Sequence, residues 1–253
     1  MAWHLNASEA MNWKGAISEG AVIYRRHWQE HLRLALIFVI GSMMAFGAPF
    51  SIAVAVFALT IGLSVPDSIA IPVNIFFVVL AFVLGVIAYA AMKAAYYAGV
   101  FEIYNRGSAH ALNYFSFARR HMKEAAVCEA IICLGPMAVA APVAIAGIVL
   151  RSELLLFAAA GTFLVLVTAT NYFSMLAYPA LIIDGYGSVA AIKKSMKTEE
   201  ENRREMPAFF AFVWICLLVL LAIPVLGFVL YSLVFLPIIS TAATVFYRSK
   251  RKL

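Results

Sequence analysis

Long apolar runs separated by short polar breaks constrain this chain more than any other feature of its sequence. Stretches of roughly 20 or more apolar residues recur from about residue 33 to residue 247. About 20 such residues in a helix cross the ~30 Å hydrocarbon core of a bilayer. Only 13% of the 253 residues are charged, against about 25% in soluble domains. The sequence therefore predicts an all-α, polytopic membrane protein.

The breaks between the runs define six predicted transmembrane helices. Polar segments at 64–67 and 151–153 separate the runs of the first two pairs. The break at 224–227 carries no charge, but the apolar run around it is long enough for two spans. The predicted spans are 33–62, 70–103, 124–150, 154–183, 206–223 and 226–247.

The basic residues predict how the chain is oriented. Seventeen of the 19 lysines and arginines lie in the N-terminal segment, in segments 104–123 and 184–206, or in the C-terminal tail. Six spans place these four segments on one side, and positively charged flanks stay in the cytoplasm. We therefore expect both termini inside, in the cytoplasmic (inner) membrane of a bacterium or archaeon.

An Arg-Arg pair precedes each pair of spans and marks a threefold repeat. Other matches support it, such as Tyr97-Ala98 with Tyr178-Pro179. The sequence predicts a single domain over 1–253 with units at about 7–104, 105–184 and 185–253, which bury their spans only when stacked. The six arginines are expected to anchor the units at anionic lipid head groups; they are Arg25, Arg26, Arg119, Arg120, Arg203 and Arg204.

Each unit is predicted to begin with an interfacial helix, followed by a helical hairpin. Apolar residues recur on one helical face of each leading segment, with basic residues opposite. Such a helix lies in the membrane interface with its apolar side down. The apolar positions are Ile17, Ala21, Tyr24, Trp28 and Leu32 in the first segment, Leu112, Phe115 and Met122 in the second, and Val189, Ile192 and Met196 in the third. The run Glu199-Glu200-Glu201 beside lysines is typical of a solvated helix face.

The end of the fourth span carries a resemblance to a known family. Ala177-Tyr178-Pro179-Ala180 is followed by Ile182-Ile183-Asp184-Gly185-Tyr186-Gly187-Ser188 and by Ala190-Ala191-Ile192-Lys193-Lys194-Ser195. With an interfacial helix leading into a span pair, these segments resemble the six-span membrane domain that precedes the catalytic domain in some bacterial glycerophosphodiester phosphodiesterases. They are also similar to the YciC-like group of membrane proteins. The resemblance covers most of the chain and implies a fold rather than an activity, because no soluble segment is long enough for the catalytic domain.

One short motif points towards an enzyme. The residues from His27 to His31 match H-x-x-E-H, found in a class of zinc proteases. Such a site needs two imidazoles one turn apart, a glutamate base and a further ligand. The motif lies on a predicted interfacial helix, and Ala125 replaces the second histidine in the second unit. We therefore predict a polar surface facing head groups here, with no metal and no cofactor.

Two charges inside predicted spans are the stronger functional candidates. Lys93 and Glu129 have no charged counterpart in the other units. Each lies roughly 14–17 Å along its helix from the cytoplasmic end, so the two could form an ion pair. Charges within a span are functional candidates by default, although Lys93 could instead reach the interface along its apolar stem. Asn171 is a third candidate, either for a polar cavity or for hydrogen bonds between helices.

Three function classes remain open on the sequence. The almost entirely apolar spans favour a non-enzymatic scaffold or accessory subunit that acts through lipid and protein contacts. The alternative is a transporter or lipid-handling protein with a polar cavity near Lys93, Glu129 and Asn171, and an enzyme would depend on the His27–His31 motif. The expected partners are anionic membrane lipids, and other membrane proteins or further copies of the chain. Nucleic acid is not expected, because the basic residues lie at span ends.

Overall fold

A computed structural model describes residues 11–223 and 225–251 and shows an all-helical chain. Helix accounts for 89% of it, and the described residues contain no strand. The helices are α1 (Trp13–Arg26), α2 (Trp28–Gly62), α3 (Asp67–Arg106), α4 (Ala111–Val149), α5 (Glu153–Phe173), α6 (Ala177–Asp184), α7 (Ser188–Glu201), α8 (Met206–Leu221), α9 (Leu226–Leu230) and α10 (Leu236–Arg251). A π-helical turn, Tyr231–Phe235, joins α9 to α10.

Five helical stretches in the described part are long and apolar enough to cross a membrane. They are Trp28–Gly62, Asp67–Arg106, Asn113–Val149, Glu153–Asp184 and Leu226–Lys250. A polytopic helical membrane protein is therefore confirmed. The remaining predicted span, 206–223, corresponds to α8, which has 16 residues. At 1.5 Å per residue it is about 24 Å long, shorter than the ~30 Å hydrocarbon core.

The turns that join α2 to α3 and α4 to α5 have the same hydrogen bonds. Val65 N–H donates to the Thr60 carbonyl at 3.0 Å, and Ser152 N–H donates to the Gly147 carbonyl at 2.9 Å. Each turn has a residue in the left-handed region, with φ of 50° at Ser64 and 48° at Arg151. This is the Schellman ending of a helix, which satisfies its last carbonyls. Two segments unlike in sequence thus adopt one hairpin geometry.

The first leading segment differs from the prediction. It breaks at His27, so Trp28 starts α2 and its side chain is half exposed. The face of α1 that is buried centres on Ala16 and Gly20, and it packs against α10. A Cβ atom on Gly20 would lie only 2.8 Å from the Ile238 carbonyl oxygen. The Ala16–Gly20 face of α1 is therefore covered by protein, whereas the predicted apolar positions Ile17, Ala21 and Tyr24 are only partly buried.

The other two leading segments also differ from three equivalent interfacial helices. The second is not separate, because α4 runs from Ala111 through to Val149 without a break. The third is the separate helix α7, which buries small and polar residues such as Ala191 and Ser195 against the protein. Its predicted apolar residues Val189 and Met196 are exposed, as an interfacial helix requires.

The fourth predicted span, 154–183, is interrupted between α5 and α6. Pro179 lacks an N–H, and its ring crowds the carbonyl four residues earlier, at Met175. The helix leaves regular geometry at Ser174–Leu176. The freed Leu176 N–H donates to Ser195 Oγ of α7 at 3.0 Å. The predicted span 154–183 thus matches a stretch that can cross a membrane and contains an open turn at 174–176.

A second proline-associated irregularity lies before α10. Pro237 follows the π-helical turn, and the carbonyl four residues before it belongs to Leu233. The Tyr24 hydroxyl of α1 donates to that carbonyl at 3.1 Å. At both prolines, a side chain from a polar helix thus satisfies a backbone group that the irregular turn leaves available.

Each of the three leading segments uses one side chain to form a hydrogen bond with the backbone of another helical stretch. The Tyr114 hydroxyl, near the start of α4, donates to the Met92 carbonyl of α3 at 2.8 Å. Ser195 of α7 accepts from the Leu176 N–H just before α6, and Tyr24 of α1 donates to the Leu233 carbonyl just before α10. Each leading segment therefore binds the backbone of a different apolar stretch. The second and third segments bind the helix before them, and the first segment binds the last helix. The contacts consequently run in a closed cycle.

Candidate functional site

Lys93 and Glu129 lie together at the contact between α3 and α4. The Lys93 Nζ atom lies 3.0 Å from Glu129 Oε2 and 3.3 Å from Oε1. The Glu129 side chain is 5% exposed and the Lys93 side chain 22%. The sequence predicts that the two side chains lie at a similar depth, and their contact agrees with that prediction. An apolar environment makes such charges stable only when each finds its counterpart.

Tyr178 of α6 completes the group. Its hydroxyl donates to Glu129 Oε2 at 2.8 Å, while the Lys93 ammonium lies 4.6 Å from the centre of its ring. The Tyr97 ring stacks on Tyr178 with centroids 5.4 Å apart. We call Lys93, Glu129 and Tyr178 the polar staple, because they join α3, α4 and α6. In the sequence Tyr178 marks the repeat and belongs to the segment that carries the family resemblance, and no pattern links it to Glu129.

Both oxygens of the Glu129 carboxylate in the polar staple already accept hydrogen bonds from other side chains of the protein. The remaining Glu129 oxygen, Oε1, also accepts a weak hydrogen bond from Cys133 Sγ at 3.5 Å. A cation–π contact and the hydrogen bonds that Lys93, Tyr178 and Cys133 donate to one carboxylate offset the cost of burying both charges. A solute could bind Glu129 only by displacing these partners. The geometry therefore favours a cross-link between helices over an open binding site.

Asn171 does not belong to this group. Its side-chain amide donates to the Val167 carbonyl of its own helix at 2.8 Å. The neighbouring Thr170 hydroxyl lies 3.2 Å from the Ile132 carbonyl of α4. Asn171 thus bonds within its own helix, and the contact between helices is made by Thr170.

No family model, curated protein or solved structure matches the chain. The likeness to the membrane domain of glycerophosphodiester phosphodiesterases and to the YciC-like group stays a prediction. The site is therefore interpreted from its own geometry and chemistry.

The side chains of His27, Glu30 and His31 in the H-x-x-E-H motif each have different neighbours. His27 lies at the break between α1 and α2, and Glu30 pairs with Arg33 at 3.2 Å. His31 is fully buried, with its ring 5.6 Å from that of Tyr24. Within the described ranges, no three His, Cys, Asp or Glu side chains are grouped so that they could hold a metal ion. His31 is thus part of the packing between α1 and α2.

The Arg-Arg pairs lie on the surface. All six side chains are exposed, on α1, on α4 and in the turn after α7. Their position on the surface is compatible with the contact to anionic head groups that the sequence predicts for them.

A buried carboxyl group on α7 was missed by the sequence analysis. Glu199 is only 1% exposed, so the prediction of a solvated face is wrong at this residue. Its Oε1 atom accepts a hydrogen bond from Ser195 Oγ at 2.8 Å, and Ser195 in turn holds the Leu176 N–H. The spacing of Ala191, Ser195 and Glu199 at i, i+4 and i+8 was the available signal, since it places them on one helical face.

The acidity of Glu199 predicts how stability depends on pH. Burial raises the pKa of this carboxyl from 4.5 to about 8, while the Ser195 hydrogen bond opposes the shift. The folded state then binds a proton that the unfolded state has released, so stability falls as pH rises from about 4.5 to about 8. We expect Glu199→Gln to flatten this slope in thermal unfolding of the detergent-solubilised protein between pH 5 and 9.

A matched variant on the same helix controls for the loss of one carboxylate. Glu200 is exposed, so Glu200→Gln should keep the wild-type slope. Equal slopes in the wild type and in Glu199→Gln would show that Glu199 does not carry the dependence.

Proposed function

We propose that this chain is a non-enzymatic integral membrane protein that acts as a scaffold or accessory subunit through contacts with lipids and other membrane proteins. The observation that carries this proposal is the internal satisfaction of the polar staple. Lys93 and Glu129 hold each other at 3.0 Å, and Tyr178 holds Glu129 at 2.8 Å. Charges paired in this way stabilise the contacts between helices, and few of their hydrogen-bonding groups remain for a transported solute.

The apolar surface supports the same proposal. Large hydrophobic side chains are exposed along α2 and α3 and towards the turn between α4 and α5. Such surface is stable only against lipid tails or an apolar partner. Met43 and Met44 on α2 are both about two-thirds exposed, at 67% and 66%. Flexible thioether side chains suit contacts with partners of varied shape.

We propose six spans in three units, with both termini in the cytoplasm of a bacterium or archaeon. The closed cycle of contacts made by the leading segments supports three equivalent units. The shared turn geometry at Ser64 and Arg151 supports equivalent hairpins. The exposed Arg-Arg pairs and the basic tail support the orientation. In this arrangement α8 is the fifth span, with Glu205 at its N-terminal end and the charge-free break at 224–227 beyond its C-terminal end.

Native mass spectrometry tests the proposal against transport. We expect the protein, released from its own membrane in mild detergent, to carry a membrane-protein partner or a further copy of itself. The charge-free double variant Lys93→Met/Glu129→Met should keep that assembly, because the charges serve packing. The control Lys14→Met removes an exposed charge on α1.

The same preparations also test whether a small solute binds at the polar staple. Saturable stabilisation of the wild type by a small solute, lost in the double variant and kept in Lys14→Met, would support the transporter alternative. A monomer with such solute dependence would overturn the scaffold proposal.

A further inference from the structure

A cleft of about 250 Å³ lies where α2, α3 and the start of α4 meet. Acidic and basic groups line one part of it, and apolar side chains line the rest. This volume is below the ~300–1,000 Å³ typical of sites for drug-sized molecules, and suits a small polar group with an apolar extension. The residues that define it are Glu30, Arg33, Glu102, His110, Tyr114 and Phe117.

Glu102 is the unusual member of this cleft. It is 9% exposed, and its Oε1 atom pairs with Arg106 at 3.3 Å. Its Oε2 atom is buried and has no hydrogen-bond partner among the described residues. A buried carboxylate oxygen without a donor costs free energy, so a group that donates a hydrogen bond to Oε2 would stabilise this arrangement.

The charges of the cleft indicate what that donor is. Glu30 pairs with Arg33 at 3.2 Å and Glu102 Oε1 pairs with Arg106 at 3.3 Å, so the group still missing is a donor to Glu102 Oε2. A primary ammonium carries three N–H donors and fits a carboxylate that lacks one. Arg33 is largely exposed at the rim and, with His110, can receive a phosphate. Leu34 and Phe117 extend the cleft with apolar surface.

We propose that this cleft binds the head group of an aminophospholipid, with its primary ammonium on Glu102 and its phosphodiester at Arg33 and His110. This inference rests on the proposed function, in which the chain acts through lipid contacts, and it names the lipid class. Phosphatidylethanolamine has this chemistry. Phosphatidylcholine has the same phosphodiester, but its quaternary nitrogen has no N–H to donate. Phosphatidylglycerol has no cation.

The test measures lipid retention by native mass spectrometry after reconstitution into nanodiscs of equal phosphatidylethanolamine, phosphatidylcholine and phosphatidylglycerol. We expect the wild type to retain phosphatidylethanolamine over phosphatidylcholine by about tenfold, the size of one charge-assisted hydrogen bond. Glu102→Gln should bring the two lipids close to parity. The exposed control Glu200→Gln should keep the wild-type preference.

A second variant guards against misfolding. Glu102→Asp keeps the charge but withdraws it by one methylene, so we expect an intermediate preference in a protein with the wild-type elution profile. Equal retention of both lipids by the wild type, or an undiminished preference in Glu102→Gln, would overturn the proposal.

A competition experiment distinguishes a lipid from a soluble molecule with the same head group. Soluble glycerophosphoethanolamine has the same head group without acyl chains, and it should not displace the lipid at millimolar concentration. Displacement would assign the cleft to a soluble ligand and overturn the lipid assignment.

The proposed lipid site and the proposed scaffold function are tested by different measurements. Loss of lipid preference with an intact partner assembly would reject the site and leave the proposed function standing. Solute-dependent stabilisation that requires Lys93 and Glu129 would reject the proposed function, whatever lipid occupies the cleft.

Discussion

Replacing Lys93 with methionine should destabilise the folded protein by roughly 3–5 kcal/mol, the usual cost of removing one partner from a buried ion pair. Glu129 would keep only the Tyr178 hydroxyl and the weak Cys133 contact in a site where its side chain is 5% exposed. The contact between α3 and α4 would then carry an uncompensated charge. Reversible unfolding in mixed micelles measures the difference.

The double variant Lys93→Met/Glu129→Met separates the charge from the packing. Because both charges are removed together, it should recover most of the loss, as replacement of buried pairs by apolar residues often does. Lys197→Met/Glu201→Met removes an exposed pair on α7 and should change stability by less than about 1 kcal/mol. If Lys93→Met is no less stable than the double variant, the pair is not a staple.

Replacing Gly20 with alanine should detach α1 from α10, at a cost of about 1–3 kcal/mol. The added Cβ would lie 2.8 Å from the Ile238 carbonyl oxygen and 3.0 Å from the Ala242 nitrogen. Both atoms belong to backbone, which cannot rotate away as a side chain would. We expect faster proteolysis at Arg25 and Arg26, whose peptide bonds become accessible when α1 separates.

Gly15→Ala on the same helix is the matched control. Its Cβ would meet only side-chain atoms, with the nearest being Met11 Cγ at 3.2 Å. Alanine also has the higher helix propensity, so this variant should be neutral or slightly stabilising. Equal protease sensitivity in the two variants would mean that close approach at Gly20 does not hold α1 in place.

Features set by hydrophobic length and helical rise could be predicted from the sequence. Five of the six predicted spans correspond to helical stretches long enough to cross a membrane. The contact of Lys93 with Glu129 follows from two distances along helices, because adjacent spans with charges at one depth have few other partners. These features depend on local composition and on one-dimensional spacing.

Features set by packing between distant helices could not be predicted in this way. Prolines occur inside α2, α3 and α4 without ending them, whereas Pro179 follows a break. The difference lies in Ser195, which stabilises the open turn from another helix. Glu199 was misread for the same reason, because its burial depends on what α7 packs against. The face of α1 likewise depends on α10, more than 200 residues away in sequence.

The position of α1 on the last helix has a consequence for biosynthesis. A chain is made from its N-terminus, so α1 leaves the ribosome long before its binding surface on α10 exists. Tyr24 then has no Leu233 carbonyl to bind, and Gly20 has no neighbouring backbone. The contact surface of α1 on α10 is therefore completed only after α10 is made, and docking of α1 would report that α10 is in place.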